Sequence, residues 1–159
     1  MQIIAQENWQ IQVSEDETFS ITVPHKLTKY SNKTLTEVGE LNLIAYRSEE
    51  PDAYGNVYSI NFIDYPDGAI FGDDSLAMDL IYSSIEGLPG ELIYEEKQRE
   101  QGHDSVICRK KLVDQNLYSK TKVFVVKDRL YIMLVYSNED KAFNNGVDKF
   151  LDSFKIIKV

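Results

Sequence analysis

The sequence feature that most constrains the fold is the run at residues 130–136, which is apolar on both of its alternating faces. A strand of this kind is typical of the centre of a sheet that is covered on each side. Residues 91–97, 105–113 and 120–126 are also predicted to be strands. The connections between these segments are short, which indicates antiparallel neighbours. The C-terminal half is therefore predicted to form an antiparallel meander.

The N-terminal half shows the alternation of half-buried strands. Residues 9–13 and 19–23 alternate apolar and polar side chains on either side of a polar turn, which predicts a hairpin. Residues 36–47 are predicted to form one long strand and residues 57–65 another. The polar segment 26–33 is predicted to be a loop.

A first helix is predicted over residues 74–86. Asp73 or Asp74 can cap its first turn, and both negative charges suit the positive end of the helix dipole. Apolar side chains recur on one helical face, and these are Met78, Ile81, Tyr82 and Ile85.

A second helix is predicted over residues 140–153, with Ser137 and Asp140 at the spacing of a capping box. Its apolar stripe is the clearest helical pattern in the chain, and it consists of Phe143, Val147, Phe150, Leu151 and Phe154. Residues 154–159 alternate again and are expected to return to the sheet as a short edge strand.

These elements predict an α+β fold. We expect an α-β-α sandwich in which a mostly antiparallel sheet of about six to eight strands is covered on opposite faces by two main helices. Residues 9–159 are expected to form a single domain. Residues 1–8 are either a disordered N-terminal stub or the remnant of a signal peptide, and the residues leave both interpretations open.

The charge of the chain restricts its partners. The 26 acidic and 17 basic residues give a net charge of −9, which repels phosphate backbones. We therefore expect a protein partner rather than a nucleic acid. The densest basic run, Arg109 to Lys111, is interpreted as the solvated face of a strand. No apolar run is long enough for a transmembrane segment.

Few residues suggest metal binding. The two histidines, His25 and His103, and the single cysteine, Cys108, do not have the spacing of a zinc site. Cys108 is predicted to be buried in a strand. An acidic group at residues 64–74 could bind calcium weakly, although turn residues and helix caps explain it better. It comprises Asp64, Asp67, Asp73 and Asp74. We expect no metal and no cofactor.

Nucleophilic catalysis is not expected either. His103, Asp104 and Ser105 have the residue types of a catalytic triad, but consecutive residues on a strand point to opposite sides. A turn around Gly102 and Asp104 is the preferred interpretation. We therefore expect no catalytic residue and no enzyme activity.

Four tyrosines fall in or beside predicted loops, where tyrosine often marks an interface. They are Tyr30, Tyr54, Tyr65 and Tyr118. Tyrosine also simply suits strands and their ends, and this is the preferred interpretation, with an interface as the alternative.

Three segments resemble the PsbP-like superfamily: FSITVP at residues 19–24, VYSINFIDYP at residues 57–66, and a C-terminal part that begins RLYIMLVYS and ends FLDSFKI. That group includes the extrinsic P subunit of photosystem II, a Ran-binding nuclear import factor and bacterial envelope proteins. The resemblance implies the fold of the group and an accessory or binding role. None of the family's binding residues matches a position here, so the resemblance assigns no residue a role.

Three functions remain as hypotheses. The first is a non-enzymatic accessory or binding protein, bacterial and exported, for which a periplasmic or secreted location is favoured over the cytoplasm. The alternative is a cytoplasmic acidic adaptor that binds a basic protein partner. The last is a small hydrolase with a site around His103.

Overall fold

The computed structural model describes residues 8–138 and 145–159. The strands in these ranges are β1 (Gln10–Val13), β2 (Phe19–Val23), β3 (Thr28–Thr36), β4 (Gly39–Arg47), β5 (Val57–Asp64), β6 (Glu91–Glu100), β7 (His103–Leu112), β8 (Leu117–Val126), β9 (Arg129–Asn138) and β10 (Lys155–Ile156). The helices are α1 (Asp74–Gly87), α2 (Asn145–Asp152) and a short 3-10 turn at Val113–Gln115.

The strands form two sheets. The larger has seven strands in the order β3-β4-β5-β9-β8-β7-β6, and the smaller has the order β1-β2-β10. Every strand pair in both sheets is antiparallel. Strand β9 is the middle strand of the large sheet, which confirms the prediction from its apolar run. The meander β6-β7-β8-β9 and the edge strand β10 are confirmed as well.

The centre of the large sheet is covered on both faces, as the side chains of β9 show. Its residues Tyr131, Met133 and Val135 pack into a core shared with β2 and α2. Leu130 lies in a second core, shared with α1. The α+β class, the antiparallel pairing and the two helices match the prediction. The ten strands exceed the six to eight expected, because the hairpin β1-β2 and β10 form a sheet of their own.

Two buried lysines bind the C-terminal ends of the helices. Lys110 Nζ donates to the carbonyls of Ile85 at 2.5 Å and Leu88 at 2.8 Å, at the end of α1. Lys122 Nζ donates to the carbonyl of Leu151 at 3.0 Å, at the end of α2. A cation is favourable there because the last carbonyls of a helix lack partners and carry partial negative charge. The prediction that Lys110 lies on a solvated face is therefore wrong.

Residues 28–33 of the segment predicted as a loop at residues 26–33 belong instead to β3, which pairs with β4 along nine residues. The strand predicted at 36–47 begins only at Gly39, whose φ of +106° closes the turn between β3 and β4. Most residues of β3 are exposed on this edge of the sheet. Period-2 hydrophobicity is produced by burial, so a strand exposed on both faces lacks the pattern.

The helix predictions are partly confirmed. Helix α1 begins after Asp73, whose side chain accepts a hydrogen bond from the backbone N–H of Leu76 at 3.0 Å. Ser137 does not cap α2, because it is a buried residue of β9. Asp140 and Phe143 lie outside the described residues. The other residues of the second stripe are all buried in the core: Val147, Phe150, Leu151 and Phe154.

Candidate functional site: a groove beside Tyr65

The loop between β5 and α1 is held in place by one carboxylate. Asp128, in the turn between β8 and β9, accepts hydrogen bonds from the backbone N–H groups of Gly68, Ile70 and Phe71, each at 2.8 Å. Its own carbonyl accepts from the N–H of Tyr65 at 2.8 Å. Four loop N–H groups therefore bind a single residue that is distant in sequence.

The electrostatics of Asp128 agree with this anchoring role. Desolvation alone would raise the pKa of the carboxyl group, but the three backbone N–H donors outweigh it and hold the pKa below its usual value. A carboxylate that accepts several backbone N–H groups is stabilised in its charged form. The loop is thus fastened by an ionised Asp128 at neutral pH.

Arg129, next along the chain, connects the two sheets. Its Nε and Nη2 bind the two oxygens of Asp64 at 2.6 and 2.9 Å. Nη2 also donates to Asp16 at 3.0 Å, and Nη1 donates to Thr18 at 2.8 Å and Tyr131 at 3.2 Å. Since a guanidinium has five N–H donors, every one of them is used.

The charges of this network stabilise each other. Desolvation opposes the charged form of Arg129, yet the carboxylate of Asp64 leaves its pKa above the usual value. Burial likewise opposes the charge on Asp16, but the hydroxyls of Thr18 and Ser14 together with Arg129 lower the pKa of Asp16 to about 2. Arg129 also lines an open polar cavity of about 460 Å³. Because its donors are all used, Arg129 acts there as a structural residue rather than an anion receptor.

An apolar groove of about 230 Å³ opens on the other side of Tyr65. It lies between α1, the β5-α1 loop and the turn between β3 and β4. Ile70 and Leu80 are buried at its floor, while Val38 and Leu76 are 53% and 43% exposed at its mouth. The residues that complete its lining are Glu37, Tyr65, Ala69, Asp79 and Ser83. The groove is therefore an accessible apolar surface built on anchored segments.

Tyr65 forms the wall between the groove and the polar cavity, since it lines both. Its hydroxyl donates to Glu37 at 3.4 Å. Burial, reinforced by the charge of Glu37, raises the pKa of Tyr65 to about 12. The phenol is thus protonated at neutral pH and acts as a neutral hydrogen-bonding group.

The structure separates the four tyrosines that sequence patterns indicated. Tyr65 follows β5 at one end of the large sheet and is buried. Tyr54 and Tyr118 lie at the opposite end, where β5 begins and β9 finishes. Tyr30 lies on the edge strand β3 and donates to Glu49 at 2.5 Å. An interface formed by these tyrosines stays a prediction, and only Tyr65 borders the groove.

The aspartates of the acidic group at residues 64–74 have separate roles in the structure. Asp64 pairs with Arg129, Asp73 caps α1 and Asp74 is in the first helical turn. Within residues 8–138 and 145–159, no three His, Cys, Asp or Glu side chains are grouped as a metal site would require. An ion pair therefore accounts for Asp64 and a helix cap for Asp73.

His103 lines a small cavity of about 230 Å³ next to α1. Burial and the nearby charge of Arg99 lower the pKa of His103. Its neighbour Asp104 is bound by Arg99 at 2.7 Å. No serine, threonine or cysteine is among the described residues that line this cavity. Cys108 is fully buried, as predicted, and its burial raises the pKa of its thiol.

Sequence patterns did not reveal the residues that build the groove. Asp128 was visible only as part of a short turn, and Val38 lay inside a segment predicted to be one continuous strand. The single indication in the sequence was Tyr65, chosen as a tyrosine beside a loop.

Comparisons with known proteins identify the fold. No protein-family model and no curated protein sequence matches the chain. The solution structure of cyanobacterial PsbP (CyanoP) from Synechocystis sp. PCC 6803 superposes with a TM-score of 0.61 and 16% sequence identity, covering 96% of this chain and 95% of that one. The chain has a PsbP-like fold.

Two weaker likenesses accompany this PsbP-like match. The crystal structure of PA94, a protein of unknown function from Pseudomonas aeruginosa, has a TM-score of 0.43 and 12% identity over 71% of this chain and 86% of that one. A structure from Bacteroides thetaiotaomicron has a TM-score of 0.49 and 10% identity over 96% and 50% of the two chains. At this identity the resemblance to PsbP concerns the fold. Among the described residues, no helix has the length and apolar character of a membrane span.

Proposed function

We propose that this PsbP-like protein is a non-enzymatic accessory protein that binds a protein partner at the apolar groove beside Tyr65. The observation that carries the proposal is the exposure of Val38 and Leu76 at the mouth of a groove whose floor is buried. Apolar surfaces of this kind mark interaction sites more often than scattered exposed side chains do.

The way the groove is built supports a binding role. Binding residues are commonly held on loops that a rigid scaffold positions. Here the β5-α1 loop is fastened by Asp128, and α1 is packed on the large sheet. The groove is thus available without a rearrangement of the backbone. The α-β-α layering proposed for the chain would keep α1 on an outer surface, where a partner can reach it.

Site-specific photo-crosslinking tests this function. A benzoylphenylalanine replaces Val38 at the groove or, as a matched control, Leu92 on the far edge strand β6, where the side chains are 53% and 52% exposed. We expect the Val38 probe to give a discrete crosslinked species in extracts of the source organism, and the Leu92 probe to give none. Identical products from the two positions, or no product from Val38, would contradict the proposal.

A further inference from the structure

We infer that the groove takes one apolar side chain from a basic segment of a partner protein. This inference rests on the binding function proposed above and specifies the chemistry of what is bound.

The size of the groove indicates a single side chain. Pockets for small molecules and cofactors usually have volumes of roughly 300–1,000 Å³, and this groove measures about 230 Å³. An apolar side chain that projects from a peptide backbone needs less space than a cofactor. Its backbone would remain at the mouth, beside Val38 and Leu76.

The floor of the groove requires an apolar occupant. The side chains of Ile70, Leu80 and Ala69 in the lining are hydrocarbon. A charged or strongly polar side chain placed there would lose its hydration without gaining a partner. An aliphatic or aromatic side chain would instead be removed from water at a gain in free energy.

The rim of the groove indicates positive charge in the flanking residues. Glu37, from the turn between β3 and β4, and Asp79, from α1, are exposed carboxylates of the lining, and no lysine or arginine is among the described residues that line the groove. Neither carboxylate belongs to a salt bridge among the described residues. A cationic residue beside the apolar side chain would therefore meet two available anions.

The overall charge favours a basic partner over a second copy of the chain. Two molecules with a net charge of −9 each repel one another. A basic segment is attracted by the same field and is steered toward the acidic rim.

Three hexapeptides test the inference by NMR titration of the ¹⁵N-labelled protein. The basic probe is Gly-Lys-Leu-Lys-Gly-Gly, and the others replace both lysines by glutamate or the leucine by alanine. All three are acetylated and amidated, so that they differ only at these positions. We expect the basic probe to shift the amide signals of Val38, Ala69 and Leu76. The alanine peptide should bind roughly tenfold more weakly, and the acidic peptide more weakly still.

Two double variants with the same change in net charge test whether the rim carboxylates attract the basic peptide. E37Q/D79N removes the two rim carboxylates, whereas E91Q/E95Q removes two exposed carboxylates from β6 with the same change in net charge. Exposed charge pairs have modest strength, so we expect E37Q/D79N to weaken the binding of the basic probe roughly twofold to 20-fold. E37Q/D79N should also reduce the salt dependence of binding. E91Q/E95Q should change neither the affinity nor its salt dependence by much.

The outcomes separate the inferred chemistry from the proposed function. Equal binding of the basic and acidic peptides, or no shift at the groove with any peptide, overturns the inference. The same holds if L76D, which puts a charge at the mouth, binds the basic probe as well as the wild type. If the Val38 crosslink still forms in any of these cases, the binding function stands and only the chemistry assigned to the groove is wrong.

Discussion

Removing the side chain of Asp128 should loosen the loop that forms the groove. The variant D128A leaves the N–H groups of Gly68, Ile70 and Phe71 without their acceptor. Hydrogen bonds to charged groups contribute about 1.5–3 kcal/mol each. Asp128 is only half-buried and water can solvate the released N–H groups, so we expect a total loss of about 2 kcal/mol. For a domain of this length, that loss lowers Tm by roughly 4–8 °C.

The variant D128N should lose less stability than D128A. Asparagine keeps the oxygen that accepts from Ile70 and Phe71 but places an amide NH₂ group opposite the N–H of Gly68. We therefore expect a loss of about 1 kcal/mol, between D128A and the wild type. Urea unfolding with an unchanged slope would measure both losses, and hydrogen exchange should accelerate at the same three amides.

The control for Asp128 is D67A, which removes an exposed carboxylate from the same loop. The stability lost in D128A should also become smaller as the pH falls. Because folding lowers the pKa of Asp128, its contribution is complete above its ordinary value of 3.8 and is lost as the pH falls through the lower value of the folded state. The anchoring role would be refuted if D128A and D67A unfolded at the same urea concentration, or if the loss from D128A grew on acidification.

Three further predictions concern the parts of the structure that support the groove. K110M should destabilise the fold by about 2 kcal/mol in urea unfolding, because the last carbonyls of α1 lose a charged donor; an unchanged midpoint would contradict the role of Lys110. R129M should cost about 2 kcal/mol, since the carboxylates of Asp16 and Asp64 lose their charged donor but remain accessible to water. With a pKa of about 2 in the folded state, Asp16 stabilises the wild type fully above its ordinary pKa of 3.8 and loses this effect as the pH falls toward 2. The stability of R129M should therefore depend less on pH over that interval. The thiol of Cys108 should react with a thiol reagent only after denaturation, and reaction in the native state would show that its burial is incomplete.

The strands that carry the fold could be recognised because burial leaves a local signature. The apolar run in β9 and the stripe of α2 each record which side chains face a core, so their position in the fold could be read from short segments. The resemblance to PsbP-like proteins added the arrangement of these elements. Where burial is absent, as along β3, the same method predicted a loop.

The candidate site was less accessible to sequence reasoning. Asp128 and the N–H of Gly68 are 60 residues apart, and their hydrogen bond leaves no periodic pattern in either segment. Lys110 appeared to belong to a basic surface run, although its ammonium group is buried at the end of α1. Interactions of this kind depend on which segments pack together, and any aspartate or lysine could in principle form them.

The sequence by itself determined the class of the fold, the central position of β9, the amphipathic helices and the acidic character of the surface. These properties follow from hydrophobic periodicity and from a count of charges, both of which are local or additive. Only the tertiary structure decided that the turn at Val38, the loop after Tyr65 and the first turns of α1 enclose one groove. The physical reason is that a groove is the space left between packed segments, and its shape depends on long-range contacts that no single segment encodes.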